Sequence, residues 1–190
     1  MMLQLLDGVT VNDSIDYKII EIRYLSDELK EKIKNELIVI CHGEYALSSA
    51  SVYHTFERTI AELVNYRLSN EQDKRVGAIG ELILNVIIRA LGNFEVISPF
   101  FNLEERNVKK GFDIIAVDSN NDIWIIESKA GELGTMLDAN SKVSERINMA
   151  NRDLVGRLNR DNAQLWLNAI NSVRSSVDYT DEKKTVINIL

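Results

Sequence analysis

"IWIIESKA", residues 123–130, decides the reading of this chain. Ile123, Trp124, Ile125 and Ile126 form an apolar run that reads as a buried strand. Glu127 and Lys129 follow it, two residues apart and so on one side of an extended chain. Glu and Lys are rarely buried unless paired. A core strand that ends in an acid and a base therefore asks what each is paired with.

The stretch before it supplies an answer. "GFDIIAV" (111–117) reads as a second strand and "DSNND" (118–122) as the turn between the two. With the turn centred on Asn120, paired positions sum to 240, and Asp113 lies directly opposite Glu127. Their Cβ atoms would be roughly 5 Å apart. Ile115, Val117, Ile123 and Ile125 line the same face; Phe112, Ile114, Trp124 and Ile126 line the other. Both faces are therefore expected to be covered. A slip of one residue would send the two acids to opposite faces.

Like charges directly opposed destabilise a sheet. A divalent cation removes that repulsion by taking oxygen ligands from both carboxylates. Mg²⁺, or Mn²⁺ in its place, is the expected cofactor, because Mg²⁺ commonly binds one or two carboxylates and keeps several waters. Such a metal makes a bound water more nucleophilic. Lys129 could hold that water or stabilise a phosphoryl oxygen. As a bland alternative, Asp113 caps a loop while Glu127 and Lys129 form a salt bridge at a strand end.

A third acid points the same way. "DKRVGAIGELILNVIIRALGN" (73–93) predicts a helix that is apolar nearly all round from Val76 to Leu91 and stopped by Gly92-Asn93. Glu81 sits inside it, with Gly77 and Asn85 one turn away on either side and Gly80 before it. That stripe of small and polar positions would let the helix approach the sheet closely. A buried Glu without a partner costs several kcal/mol or takes up a proton. A metal or Lys129 is the expected partner.

Farther out, "FEVISPF" (94–100) predicts a strand ended by Pro99, and "NLEERNVKK" (102–110) a polar loop. A helical region is expected from about Ser141 to Val173, and "KKTVINIL" (183–190) closes the chain as a strand. The order from Val76 is helix, strand, strand, strand, helix, strand, which implies a mixed sheet covered on both faces. Residues 1–70 predict an accessory α+β unit beside a core of 71–190: a strand at 17–24, a Ser26-capped helix, a short strand "LIVICH" (37–42) and an amphipathic helix within 49–70. No chemistry stands out in that unit. Cys41 is the only cysteine and reads as a packing residue; His42 reads as a turn residue.

The 190 residues carry a net charge of −7 with 45% apolar residues, an ordinary soluble composition that argues against a protein coating nucleic acid. The single cysteine fits a reducing cytoplasm. No secretory signal or membrane span is read. Between Ser141 and Arg160 the balance reverses, with Lys142, Arg146, Arg152, Arg157 and Arg160 against Glu145 and Asp153. This strip either engages phosphates, with Lys142, Arg146 and Arg152 as the candidate nucleic-acid contacts, or is a solvated helix face.

"GAIGELIL", "GFDIIAV" and "IIESK", with the helix and strand that follow, make residues 76–190 resemble the PD-(D/E)xK nuclease superfamily, the restriction-endonuclease-like fold. The resemblance implies an α-β-β-β-α-β core and a Mg²⁺-dependent phosphodiesterase acting on DNA. Asp113 and Glu127 would be metal ligands, the Ser128 carbonyl a further ligand, Lys129 the residue positioning water or transition state, and Glu81 the acid from the first core helix. The Pro of the family name is absent, since Phe112 precedes Asp113. Within the superfamily, the order "GE … SPFFNLEERNVKKGFDII … IIESK" is most similar to the HamA-type nuclease subunit of Hachiman antiphage systems. That implies a helicase-type protein partner. The expectation from another class is a non-catalytic inhibitor or scaffold on the same fold.

Overall fold

The computed structural model describes residues 2–48, 54–68, 70–100, 111–132, 138–159 and 163–176. The architecture is α+β. Strands β1 (Met2–Leu6), β2 (Val9–Asp13) and β3 (Lys18–Ile22) form one antiparallel sheet in that order. Helices α1 (Asp27–His42), α2 (Tyr45–Ser48) and α3 (Phe56–Glu62) follow, and a π-helical turn, Leu63–Arg67, continues α3. Helix α4 (Gln72–Leu91) leads into a second antiparallel sheet of β4 (Phe94–Val96), β5 (Ile114–Asp118) and β6 (Ile123–Ile126). Helices α5 (Ala139–Leu158) and α6 (Ala163–Ser176) end the described chain.

The hairpin register is the expected one. Ile114 pairs with Ile126 and Val117 with Ile123, so every pair sums to 240 and Asp113 and Glu127 flank the last pair. Asp118 organises the turn: its carboxylate accepts from the backbone N–H of Asn120 and Asp122 and from the Trp124 indole. Asn121 takes the left-handed conformation, φ 64°, that Asn tolerates better than most residues. Both faces of the sheet are covered. Ile88 of α4 meets Val96, Ile114 and Ala116 on one side, while Ala169 and Val173 of α6 meet Ile97, Ile115 and Val117 on the other. Phe112 joins the α6 side and stacks at a tilt on Trp166, because strand alternation ends at Ile114.

Four expectations are corrected. "LIVICH" is the last part of α1, not a strand: the Ser26-capped helix meets no breaker until Gly43, whose φ of 88° ends it. A short apolar run fits strand or helix equally by period. The N-terminal residues add two strands, joined at Asp7-Gly8 with Gly8 at φ 73°; this Asp-Gly between apolar runs is the hairpin signal that was available. The helix expected within 49–70 is short, Thr55 capping α3 before the π-helical turn, and residues 49–53 lie outside the described residues. The region from Ser141 to Val173 is two helices rather than one. The polar loop 102–110, Arg160 and the closing strand at 183–190, on which a mixed sheet depended, also lie outside the described residues.

One buried cluster has members on both sides of residue 70. Val9, Leu29, Leu37, Ile40, Cys41 and Leu63 share a single buried cluster with Leu82, Val86, Ile87 and Phe100. Helix α4 therefore serves both sides, the first unit with one face and the second sheet with another. No described helix is long and apolar enough to cross a membrane.

Candidate functional site

The site lies where the β5–β6 hairpin runs out beside the N-terminal half of α4. Gly80 permits this approach: a Cβ there would stand 2.3 Å from the Ala130 Cβ. The small position that the sequence places before Glu81 is thus a steric requirement. Glu81 is brought to the hairpin end, and a cleft of about 550 Å³ opens there, lined by Gly77, Glu81, Asp113, Ser128 and Lys129 among others.

Each charge has an identifiable partner. Asp113 Oδ2 accepts from the Ser128 backbone N–H at 2.8 Å, which ties the two strand ends together beyond their last ladder pair. Glu127 is nearly inaccessible, its side chain 3% exposed. Lys129 Nζ lies 2.5 Å from its Oε1, and Arg157 Nη1 of α5 donates to its Oε2 at 2.9 Å. Arg157 also donates to the Gly111 carbonyl. Lys129 has a second acid, Asp153 of α5, at 3.3 Å. Glu81 Oε2 meets Arg67 Nη2 at 3.3 Å.

The electrostatics follow from burial and charge density. Burial pushes the Glu81 carboxyl up to about 8, the Asp113 charge pushes the same way, and Arg67 pulls back, with Glu127 and Lys129 contributing smaller opposed effects. The burial cost of a carboxylate outweighs one off-centre guanidinium contact. For Lys129, burial acts to lower the pKa, and the hydrogen bond and charge of Glu127 overcome it, leaving the ammonium above the ordinary lysine value. The Cys41 thiol, pushed up to about 12 by burial, is a packing group.

The sequence candidates therefore separate into those that meet and those that do not. Glu81, Asp113, Ser128 and Lys129 share the cleft, and Glu127 lies behind Lys129. The basic strip divides. Arg157 turns inward to Glu127. Lys142 pairs with Glu145, Arg146 lies against Gly131, and Arg152 is exposed. Sequence reading missed Arg67, Tyr66 and Lys74, which also line the cleft. The near-uniform helical pattern around residues 56–68 hid the π-helical turn that redirects Tyr66 and Arg67. Asp153 was counted only as a minority acid, although it is four residues before Arg157, on the helix face that meets the site.

The fit to a cation is mixed. The charges of Asp113 and Glu127 act together on Glu81, and removing mutual repulsion is what a cation would do there. Yet no group of three or more His, Cys, Asp or Glu forms a ready ligand set among the described residues. Both Glu127 oxygens also face cationic side chains, so a metal reaching Glu127 must displace Lys129 or Arg157.

A family model described as HamA matches residues 4–190 of the chain. No curated protein and no solved structure matches it significantly.

Proposed function

The chain belongs to the HamA family, and from that premise we propose that it is a metal-dependent nuclease that hydrolyses DNA phosphodiester bonds in antiphage defence. The observation that carries the reading is the convergence at one cleft of Glu81, Asp113 and Lys129, with Glu127 held behind by Lys129. These are the positions at which the sequence resembles the PD-(D/E)xK nucleases.

Asp113 and Glu127, with the Ser128 carbonyl and Glu81 beside them, would hold Mg²⁺ or Mn²⁺. When bound, the metal supplies an activated water and neutralises phosphoryl charge. Lys129, kept protonated by its two acids, is a fixed positive charge at the cleft wall and stabilises the charge that builds on the phosphoryl oxygens. Arg157 keeps Glu127 in place from α5 and competes with the metal for it. The match to the family supports a defence role, and a helicase-type partner follows from the Hachiman resemblance.

A second reading, a partner-binding protein without catalysis, is favoured by one specific observation: the fully paired state of Glu127. Cleavage of labelled DNA in Mg²⁺ or Mn²⁺, with and without a helicase partner, separates the two. The nuclease reading expects Lys129→Ala to lose roughly 10²-fold or more in rate, Glu127→Ala to lose cleavage, and Arg157→Ala to increase the thermal stabilisation given by Mg²⁺. Wild-type cleavage that survives Lys129→Ala intact, or no cleavage under any of these conditions, would leave the binding protein as the better account.

A further inference from the structure

One wall of the cleft comes from neither the hairpin nor the centre of α4. It is made by Tyr66 and Arg67, the last residues of the π-helical turn, and by Lys74 in the first turn of α4. A π-helical turn fits one extra residue into a helix and is frequent at functional sites. An extra residue rotates everything after it by about 100° relative to the preceding helix. Here the rotation ends in a guanidinium aimed at Glu81 and lying 5.4 Å over the Phe100 ring. Arg67 is thereby largely buried, its side chain 18% exposed. Tyr66 beside it is half-exposed, and Lys74, whose ammonium pairs with Glu71 at 2.8 Å, is largely open to solvent.

The two walls therefore differ in chemistry. Acids and Lys129 stand on one side; two cations and an aromatic ring stand on the other. Each of the two cations is held by an acid, Arg67 by Glu81 and Lys74 by Glu71, and an entering phosphate would take their place. A planar guanidinium matches a phosphate oxygen pair, and an ammonium adds a point charge. An exposed aromatic ring beside them offers a stacking surface for a nucleobase, whatever its identity.

We propose that Tyr66, Arg67 and Lys74 form a subsite for an unpaired nucleic-acid strand. Arg67 and Lys74 take the phosphate next to the one at Lys129, and Tyr66 stacks on the adjoining base. The subsite rests on the nuclease reading of the same cleft and adds a substrate preference to it: bases in a duplex are stacked on both faces, so Tyr66 discriminates for a single strand or a frayed end. The phosphate competes with Glu81 for Arg67, so strand entry frees the acid nearest the hairpin end. It also gives residues 1–70 a direct part in the site, through Tyr66 and Arg67.

The test uses the full chain in EDTA, with fluorescence anisotropy of a labelled single strand and of a hairpin duplex. Tyr66 and Lys74 carry it, because they are exposed and their loss leaves the core intact; Arg67→Ala strips Glu81 of a partner and is the less informative variant. Tyr66→Ala is expected to weaken single-strand binding by about 10-fold while duplex binding stays within about twofold. Tyr66→Phe keeps the ring and should bind as wild type. Lys74→Ala should reduce the slope of log K against log salt by about 0.7 on the single strand. Wild-type affinity in both Tyr66→Ala and Lys74→Ala, equal losses on strand and duplex, or no strand binding by the wild type overturns the subsite. The two readings fail separately. Wild-type cleavage in Mg²⁺ with unaltered binding by the variants removes the subsite and keeps the nuclease. Binding losses at Tyr66 in a protein that cuts nothing keep the subsite and remove the nuclease.

Discussion

The described residues form two three-stranded antiparallel sheets, and these spend their charges differently. In the first, β2 buries Val9 and Val11 on one face while Thr10 and Asn12 look outward. The outer face even leaves Met2 and Ile19 exposed across Asn12. In the second, Ile114 to Val117 of β5 are all buried between α4 and α6. Charge at the ends of the first sheet, such as the Lys18–Asp13 pair, is bathed in water. Charge at the end of the second sits where the sandwich closes, so it must be matched. Covering a sheet on both faces turns its strand ends into a place where pairing is obligatory, and that makes a site.

The sharpest way to break the comparison is to remove one partner from each sheet. Glu127→Ala leaves Lys129 without its nearest acid and Arg157 without its carboxylate. Partly exposed cations place the expected loss near the lower end of the ~3–5 kcal/mol for breaking a buried pair. A loss under about 1 kcal/mol by urea unfolding would show that the sandwich end is as solvated as the first sheet.

Next in size is a pH effect. The folded Glu81 pKa, about 8, is above its ordinary value of 4.5, so the native state binds the proton more tightly than the unfolded chain. Stability from this group is fully present below about pH 4.5 and is lost as pH rises through 8. The metal-free protein should lose on the order of 2–4 kcal/mol across that window, and Glu81→Gln should flatten the fall. Melting curves in chelator from pH 5 to 9 read it. A wild-type profile that Glu81→Gln leaves unaltered would mean the carboxyl is ionised throughout.

Gly80→Ala comes third. Its Cβ collides with Ala130, which should force α4 from the hairpin end at about 1–3 kcal/mol. Gly77→Ala, three residues earlier with nothing within 4 Å, should instead stabilise by up to about 1 kcal/mol. Equal effects at the two glycines would remove the close approach that delivers Glu81. The smallest effect is expected at the first sheet, where Asp13→Ala should cost no more than about 1 kcal/mol and leave any cleavage rate unaltered.

Much of the second sheet was legible because its signals are local. The Asp118–Asp122 turn and two apolar runs set a register of period two, and the register alone placed Asp113 opposite Glu127. Gly80 and Glu81 were readable as an anomaly within an apolar helix. The first unit was less legible. An apolar run of six residues has no decisive period, so "LIVICH" passed for a strand. The Asp7-Gly8 hairpin is harder to read because its first strand, Met2–Leu6, is apolar without clean alternation and its pairing shifts between Gln4 and Leu6.

By itself the sequence determined the hairpin register, the convergence of Glu81, Asp113 and Lys129, and the need to pair Glu127, because each follows from period, spacing or the cost of burying charge. Only the tertiary structure decided which residues of distant elements join the pairing. Arg157 and Asp153 reach the site from α5, and Arg67 from a π-helical turn that rotates it toward Glu81. Those contacts span 14 to 30 positions of chain, Arg67 to Glu81 and Glu127 to Arg157. No local pattern encodes them; they depend on how whole helices lie against the end of a sheet.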